Sequence, residues 1–250
     1  MFPCLGGMRW WPLTATVGLF RAPIDRVVRK SGPWKRARGS VWRSTRHPGL
    51  DEALATHAPY LSGVETAVFA VSSRDGEWTA AISSAAPFRG DLGYFRARAA
   101  WDLRCEFVGV AWTPASGDIL ADATFAHLSA GGRFRRAPIH EGRWVQASDQ
   151  DERWEFDAVG EPLPFEEPER YTAHRKADRL GVGLLARYLA GAGVPVENTS
   201  WLTGPAVAAI RSPHPTRVLA VAQPWSTPAD LRRVVGYPDG HVPTTLVKRP

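Results

Sequence analysis

The sequence predicts an α+β fold, in which an antiparallel β-meander is covered on one face by three or four helices and follows a poorly ordered basic N-terminal arm. Three observations support this prediction. Short apolar segments are separated by turns of a few residues, which cannot hold the crossover helices of a parallel sheet. Segments with helical spacing of apolar residues lie among and after these strands. Basic residues are concentrated near the N-terminus.

Charge divides the chain at about residue 46. Ten Lys and Arg residues but only one acid, Asp25, fall between Arg9 and Arg46, so this stretch carries a charge of +9. The whole chain carries +6, which leaves −3 for the remainder. We therefore predict a flexible basic arm over residues 1–46 and a single, slightly acidic α+β domain over residues 47–250.

The arm contains two patterns. Apolar residues recur at helical spacing from Phe20 to Val28, which predicts a short basic amphipathic helix with Pro23 in its first turn. Such a helix would dock on the acidic domain or on an anionic membrane surface, whereas the simpler interpretation is a disordered leader. Aromatic and basic residues then alternate, a combination that stacks on bases and follows phosphates and so indicates nucleic-acid contact: Trp34, Lys35, Arg36, Arg38, Trp42 and Arg43.

The first half of the domain predicts two helices and three strands. Apolar spacing predicts helices over 50–61 and 91–104, and apolar runs predict strands over 64–72, 78–84 and 107–113. The first two of these strands are separated by Asp75-Gly76, a dipeptide typical of a hairpin turn.

The second half predicts the rest of the meander and then further helices. Strands are expected over 119–128, 134–139, 144–147 and 153–158, and the last alternates cleanly between apolar and charged residues. A helix is expected to begin near Pro168 and to continue or restart over 180–192. The C-terminal region predicts a strand over 218–222 and a helix over 229–235.

Composition and motifs exclude several classes of protein. Two cysteines are too few for a disulfide framework, so we expect a reducing, cytoplasmic location. The longest apolar run, Trp10 to Phe20, is interrupted by Pro12 and Gly18, so we do not expect this chain to be an integral membrane protein. Gly181 to Ala186 matches a dinucleotide fingerprint only formally, because a polar segment and not a strand precedes it. We predict no cofactor and no metal site.

One polar cluster is a candidate for acid/base chemistry. On a continuous helix, Tyr171, His174, Arg175 and Asp178 would share one face. His174 would then serve as general base, Asp178 as the acid that orients it, Arg175 as an anion clamp and nearby Glu166 as general acid. The alternative interpretation is an ordinary polar helix face, with Asp178 capping the helix that follows.

The second candidate is an aromatic surface. Trp144, Trp154, Phe156 and Phe165 are expected to share one face of the sheet, and with Tyr171 they would bind a partner or an apolar ligand if the helices left them partly uncovered. Otherwise they simply form the core.

Three functional hypotheses follow. The first is a non-enzymatic module that binds an unknown protein or small molecule as an accessory or neutralising partner, because no complete catalytic set can be assembled. The alternative is an acid/base hydrolase that uses His174, Asp178, Glu166 and Arg175. The second alternative is nucleic-acid or anionic-membrane binding through the basic arm.

Overall fold

The computed structural model describes residues 16–30, 41–57, 67–83, 102–113, 122–130, 142–150, 153–194 and 201–212. These ranges hold one nine-stranded antiparallel sheet, three α-helices and two short 3₁₀ helices. The strands are β1 Thr16–Phe20, β2 Val41–His47, β3 Ala67–Ser72, β4 Thr79–Ser83, β5 Phe107–Thr113, β6 Asp122–Leu128, β7 Arg143–Gln150, β8 Arg153–Val159 and β9 Ala206–Ser212. The helices are α1 Ile24–Lys30, α2 Leu50–His57 and α3 Val182–Gly191, and the 3₁₀ helices are Pro168–Thr172 and Lys176–Asp178.

The strand order is β2-β9-β3-β4-β1-β5-β6-β7-β8. The run from β5 to β8 is a meander of consecutive antiparallel strands, as predicted. The β3–β4 hairpin is also confirmed, and Gly76 adopts the positive φ of 75° that its turn requires. The other half of the sheet is not a meander, because β9 is inserted between β2 and β3. The predicted strands over 134–139 and 218–222, the helix over 229–235 and most of the helix over 91–104 lie outside the described residues.

The N-terminal region is part of the sheet. β1 lies at its centre and pairs with β4 on one side and β5 on the other, and Val17, Leu19 and Phe20 are buried. A boundary at residue 46 would also fall inside β2, so the sheet does not divide into an arm and a domain there. The physical reason is that residues 16–20 carry no charge and are apolar on both faces, as a central strand requires, while the cations flank them.

The three α-helices lie on both faces of the sheet, which corrects the prediction that one face alone is covered. We call the face that carries Val17, Phe69 and Phe125 the first face, and α2 and α3 pack there into one large core. Alternate strand residues point to the opposite, second face, where Phe20 and Phe107 pack with Val27 of the predicted amphipathic helix, α1. Both faces of the central strands are apolar, so both need cover.

Ion pairs connect the basic N-terminal region to the rest of the fold. The Arg21 guanidinium binds the carboxylates of Glu77, with Nε 2.6 Å from Oε1, and of Glu106. Within the region itself, Arg46 on β2 donates to Asp25 on α1 at 2.7 Å. Because Glu77 and Glu106 lie outside the region and pair with Arg21, the net charge of the region overstates the charge that it presents to a partner.

Candidate ligand-binding site

The predicted catalytic helix is not continuous. The two 3₁₀ helices at 168–172 and 176–178 are separated by extended backbone, with ψ of 139° at Ala173 and 121° at Arg175. The prediction of a continuous helix here is wrong. Helical spacing therefore does not place these four side chains on one face: Tyr171, His174, Arg175 and Asp178. The side chains of His174, Arg175 and Asp178 are exposed, and within the described residues none of them hydrogen-bonds to Glu166.

Glu166 lies in a buried ion pair with Arg143 of β7. The Glu166 side chain is 0% exposed and the Arg143 side chain 3% exposed. Arg143 donates from Nε to both carboxylate oxygens, at 2.8 and 2.9 Å, and from Nη2 to Oε2 at 2.7 Å. The backbone N–H of Leu163 donates to Oε1 at 3.1 Å. The carboxylate is thus fully used by donors of its own chain.

Arg143 also fixes the turn that follows β8. Its Nη1 donates to the carbonyl oxygens of Val159 and Gly160 at 3.2 and 2.7 Å. Gly160 has a φ of 83° and lies against the Gly142 backbone so closely that a Cβ would clash with it. The chain after β8 is therefore held against the start of β7, and the segment that carries Glu166 and Tyr171 is placed over the first face.

A chain of hydrogen bonds extends this ion pair to α3. Tyr171 donates its hydroxyl proton to Glu166 Oε2 at 2.5 Å, and the two tyrosine oxygens of Tyr171 and Tyr188 are 2.8 Å apart. The backbone N–H of Glu167 donates to the Tyr188 oxygen at 3.1 Å. Since Tyr171 gives its only proton to Glu166, Tyr188 is the donor to Tyr171. Such aligned donors strengthen one another in a buried site.

The network shifts the pKa values of its members. Burial raises the pKa of Tyr171, and the hydrogen bonds to Glu166 and Tyr188 raise it further. Burial likewise raises the pKa of Tyr188. Burial alone would lower the pKa of Arg143, but hydrogen bonding to Glu166 and Tyr171 outweighs it, so this pKa is raised. Both phenols and the guanidinium therefore stay protonated.

Replacing Tyr171 by Phe is expected to lower the free energy of unfolding at pH 7 by about 1–3 kcal/mol, because Glu166 loses a buried donor. The folded state holds the Tyr171 proton more tightly than the unfolded chain does, so this contribution is complete below about pH 10 and is lost as the pH rises further. Urea unfolding between pH 7 and 10.5 should therefore show a shallower alkaline loss in Tyr171→Phe than in the wild type. Equal slopes would contradict this assignment.

The aromatic residues are divided between the two faces. In the β7–β8 pairing Trp154 lies opposite Asp149 and Phe156 opposite Ala147, on the first face, whereas Trp144 lies opposite Val159 on the second face. The prediction that Trp144 shares a face with the others is therefore wrong, because even and odd positions of β7 point in opposite directions.

The aromatic side chains of the first face form a partly exposed layer at the β8 edge of the sheet. Trp154, Phe156, Phe165 and Tyr171 all pack against the main core but remain only partly buried. The rings of Phe156 and Tyr171 are 5.2 Å apart, and the Arg179 guanidinium lies 5.3 Å from the Phe156 ring centre. We call Trp154, Phe156 and Tyr171 the aromatic layer.

Asp149 lies beside this layer. It occupies the same face as Val145 and Ala147 of β7, is 8% exposed, and its Oδ1 accepts no hydrogen bond from any described residue. A buried acceptor without a donor costs about 1–3 kcal/mol, so its presence in a folded protein needs an explanation. Asp149 was not predicted as a functional residue, although the alternation of Val145, Ala147 and Asp149 places a charge at an inward position of the strand.

The predicted nucleic-acid residues fall largely outside the described structure. Trp42 and Arg43 belong to β2, where they pair with Arg211 and Ile210 of β9. Nucleic-acid binding through this region stays a prediction. The remaining four residues, Trp34, Lys35, Arg36 and Arg38, lie outside the described ranges.

Comparison with protein-family models, curated proteins and solved structures gives no significant match. None of the helices in the described ranges has the length and apolar character needed to cross a bilayer. Nor do the described residues bring three His, Cys, Asp or Glu side chains together as a metal ion would require. Hypotheses about function therefore depend on the geometry of the site itself.

Proposed function

We propose that this protein is a non-enzymatic binding module whose ligand binds the aromatic layer at the β8 edge of the first face. The observation that carries the proposal is the partial exposure of Trp154, Phe156 and Tyr171 on a face whose central strand residues are buried. Aromatic groups that stay accessible above a packed core are typical of recognition surfaces, because they offer a large apolar area at a small entropy cost.

The buried ion pair supports this proposal by making the surface rigid. Arg143 and Glu166 fix the segment after β8, and Tyr171 is held by its hydrogen bond to Glu166. Tyr171 in turn packs against Phe156. A surface whose side chains are already in place loses less entropy when a ligand binds.

The hydrolase alternative has less support. Its proposed acid, Glu166, is fully buried and receives five hydrogen bonds from Arg143, Tyr171 and Leu163. Its proposed base, His174, and orienting acid, Asp178, are exposed on either side of extended backbone. A general acid must come within hydrogen-bond reach of the substrate, which this arrangement disfavours.

The proposal is tested with N-phenyl-1-naphthylamine, a neutral apolar dye whose fluorescence rises on binding. We expect saturable binding to the full chain and at least a tenfold loss of affinity in Trp154→Ala, because removing a central aromatic contact commonly costs about 1–2 kcal/mol or more. Trp144→Ala is the matched control, since Trp144 is a partly buried Trp of the same hairpin on the opposite face. Equal losses in both variants, or no saturable binding, would contradict the proposal.

A further inference from the structure

We propose that the aromatic layer takes an organic cation with N–H donors, an ammonium or guanidinium group, and that Asp149 is its counter-ion. This inference rests on the proposed function, since it names the chemistry of the ligand for the same site. It is carried by one buried oxygen of the Asp149 carboxylate. This oxygen has no hydrogen-bond donor among the described residues, and Asp149 lies on the same face of the sheet as the aromatic side chains.

Asp149 is a buried hydrogen-bond acceptor in apolar surroundings. The residue is more than nine-tenths buried, and Val145 and Ala147, which precede it on the same face of β7, are apolar. A carboxylate in such surroundings is stable only when a positive group or several donors face it. Arg143, the cation further along β7, is already bound to Glu166 and to the carbonyl oxygens of the β8 turn.

The neighbouring rings favour a cation over a neutral donor. Trp154 lies directly opposite Asp149 in the antiparallel pairing, which brings the two Cβ atoms to about 4.5–5.5 Å. Cations bind over aromatic faces, and Trp is the strongest such acceptor. Two rings of the layer already receive guanidinium groups of this chain: Arg179 over Phe156 at 5.3 Å and Arg143 over Tyr171 at 5.6 Å. In the described structure, Trp154 is the ring of this layer without one.

A metal ion fits the site less well than an organic cation. Hard cations such as Ca²⁺ bind several oxygen ligands at once. The described residues offer no group of three His, Cys, Asp or Glu side chains that would hold a metal. An ammonium or guanidinium group needs only one carboxylate for its N–H donors, and the Trp face for its charge.

The test is a titration of the full chain with methylguanidinium chloride at constant ionic strength, followed by the NMR signal of the Trp154 indole N–H, which is assigned with Trp154→Phe. We expect saturable binding, at least tenfold weaker binding of tetramethylammonium, which has no N–H donor, and at least a tenfold loss of affinity in Asp149→Asn. Glu155→Gln is the matched control, because it removes the same charge from the exposed side of β8. It should change the affinity less than twofold.

A second readout does not depend on detecting the complex. Methylguanidinium should raise the Tm of the wild type but not that of Asp149→Asn, and Asp149→Asn should unfold no more easily than the wild type in the absence of the cation.

An acetylated and amidated Gly-Arg-Gly peptide distinguishes two sources of the cation. Tighter binding of this peptide than of methylguanidinium would support a protein side chain as the source, and weaker binding would support a free small cation.

Several outcomes overturn the inference. No saturable shift, equal losses in Asp149→Asn and Glu155→Gln, or a clear destabilisation of Asp149→Asn without ligand would each do so. The last would show that the Asp149 carboxylate is already satisfied in the unliganded protein. Dye binding that needs Trp154, together with no methylguanidinium binding, refutes this inference and leaves the proposed function intact. Failure of both titrations refutes both.

Discussion

A chain that begins at residue 47 is expected to remain unfolded. Such a truncation removes β1, the central strand, and leaves β4 and β5 without the partner that joins the two halves of the sheet. It also removes Leu19 and Phe20, which are buried on opposite faces of the sheet. Burying each large apolar side chain stabilises the fold by about 1.5–3 kcal/mol, and a whole domain is stable by only about 5–15 kcal/mol.

Far-UV circular dichroism and amide NMR dispersion of the 47–250 chain measure this effect. The charge of the region is separated from its role as a strand by Arg29→Gln with Lys30→Gln, which removes two exposed cations from the end of α1. This variant should retain the wild-type spectrum and change the free energy of unfolding by no more than about 0.5 kcal/mol, as is usual for surface positions. A cooperatively folded 47–250 chain would show that the N-terminal residues are dispensable for the sheet.

Replacing Arg143 by Ala is expected to lower the free energy of unfolding by about 3–5 kcal/mol, the usual cost of leaving one member of a buried ion pair behind. The Glu166 carboxylate would lose three of its hydrogen bonds while staying out of water. The carbonyl oxygens of Val159 and Gly160 would lose their donor as well. Urea unfolding at pH 7 measures the loss.

The exposed pair of Arg187 and Glu167 is the matched control for this experiment. Arg187 donates to Glu167 at 2.6 Å, but its side chain is 54% exposed, so Arg187→Ala should cost at most about 1 kcal/mol. Arg143→Leu combined with Glu166→Leu should cost less than Arg143→Ala alone, because no buried charge is then left unpaired. A loss in Arg143→Ala as small as that in Arg187→Ala would contradict a stabilising role for the buried ion pair of Arg143 and Glu166.

Sequence patterns predict the elements whose stability is local. The Asp75-Gly76 turn defines a hairpin by itself, and the short turns after β5 allow only a meander. β1 was missed because it lies at the end of the apolar run from Trp10 to Phe20, inside a region whose net charge predicts a basic arm. β9 was missed because its Ala-rich sequence has low strand propensity. It forms a strand because it pairs with β2 on one side and β3 on the other.

In the candidate site, too, local features are predictable from the sequence and contacts between distant segments are not. Glu166 and Tyr171 are recognisable as functional groups in the sequence, but their partners are Arg143 on β7 and Tyr188 on α3, and no local spacing relates them. The predicted pairing of His174 with Asp178 assumed a continuous helix, and the extended backbone at Arg175 removes that geometry. Interactions between distant segments are set by the packing of the whole fold, which a local pattern does not contain.

The insertion of β9 between β2 and β3 determines when the sheet can be finished. Among the described strands, β2 pairs with β9 alone, yet β2 ends at His47 and β9 begins at Ala206. Closing so long a loop is entropically unfavourable and slows folding. During translation, β3 to β8 can assemble around β1 before β2 has a strand to pair with. β2 can join the sheet only after β9, which is made late in synthesis, has left the ribosome and paired with β3.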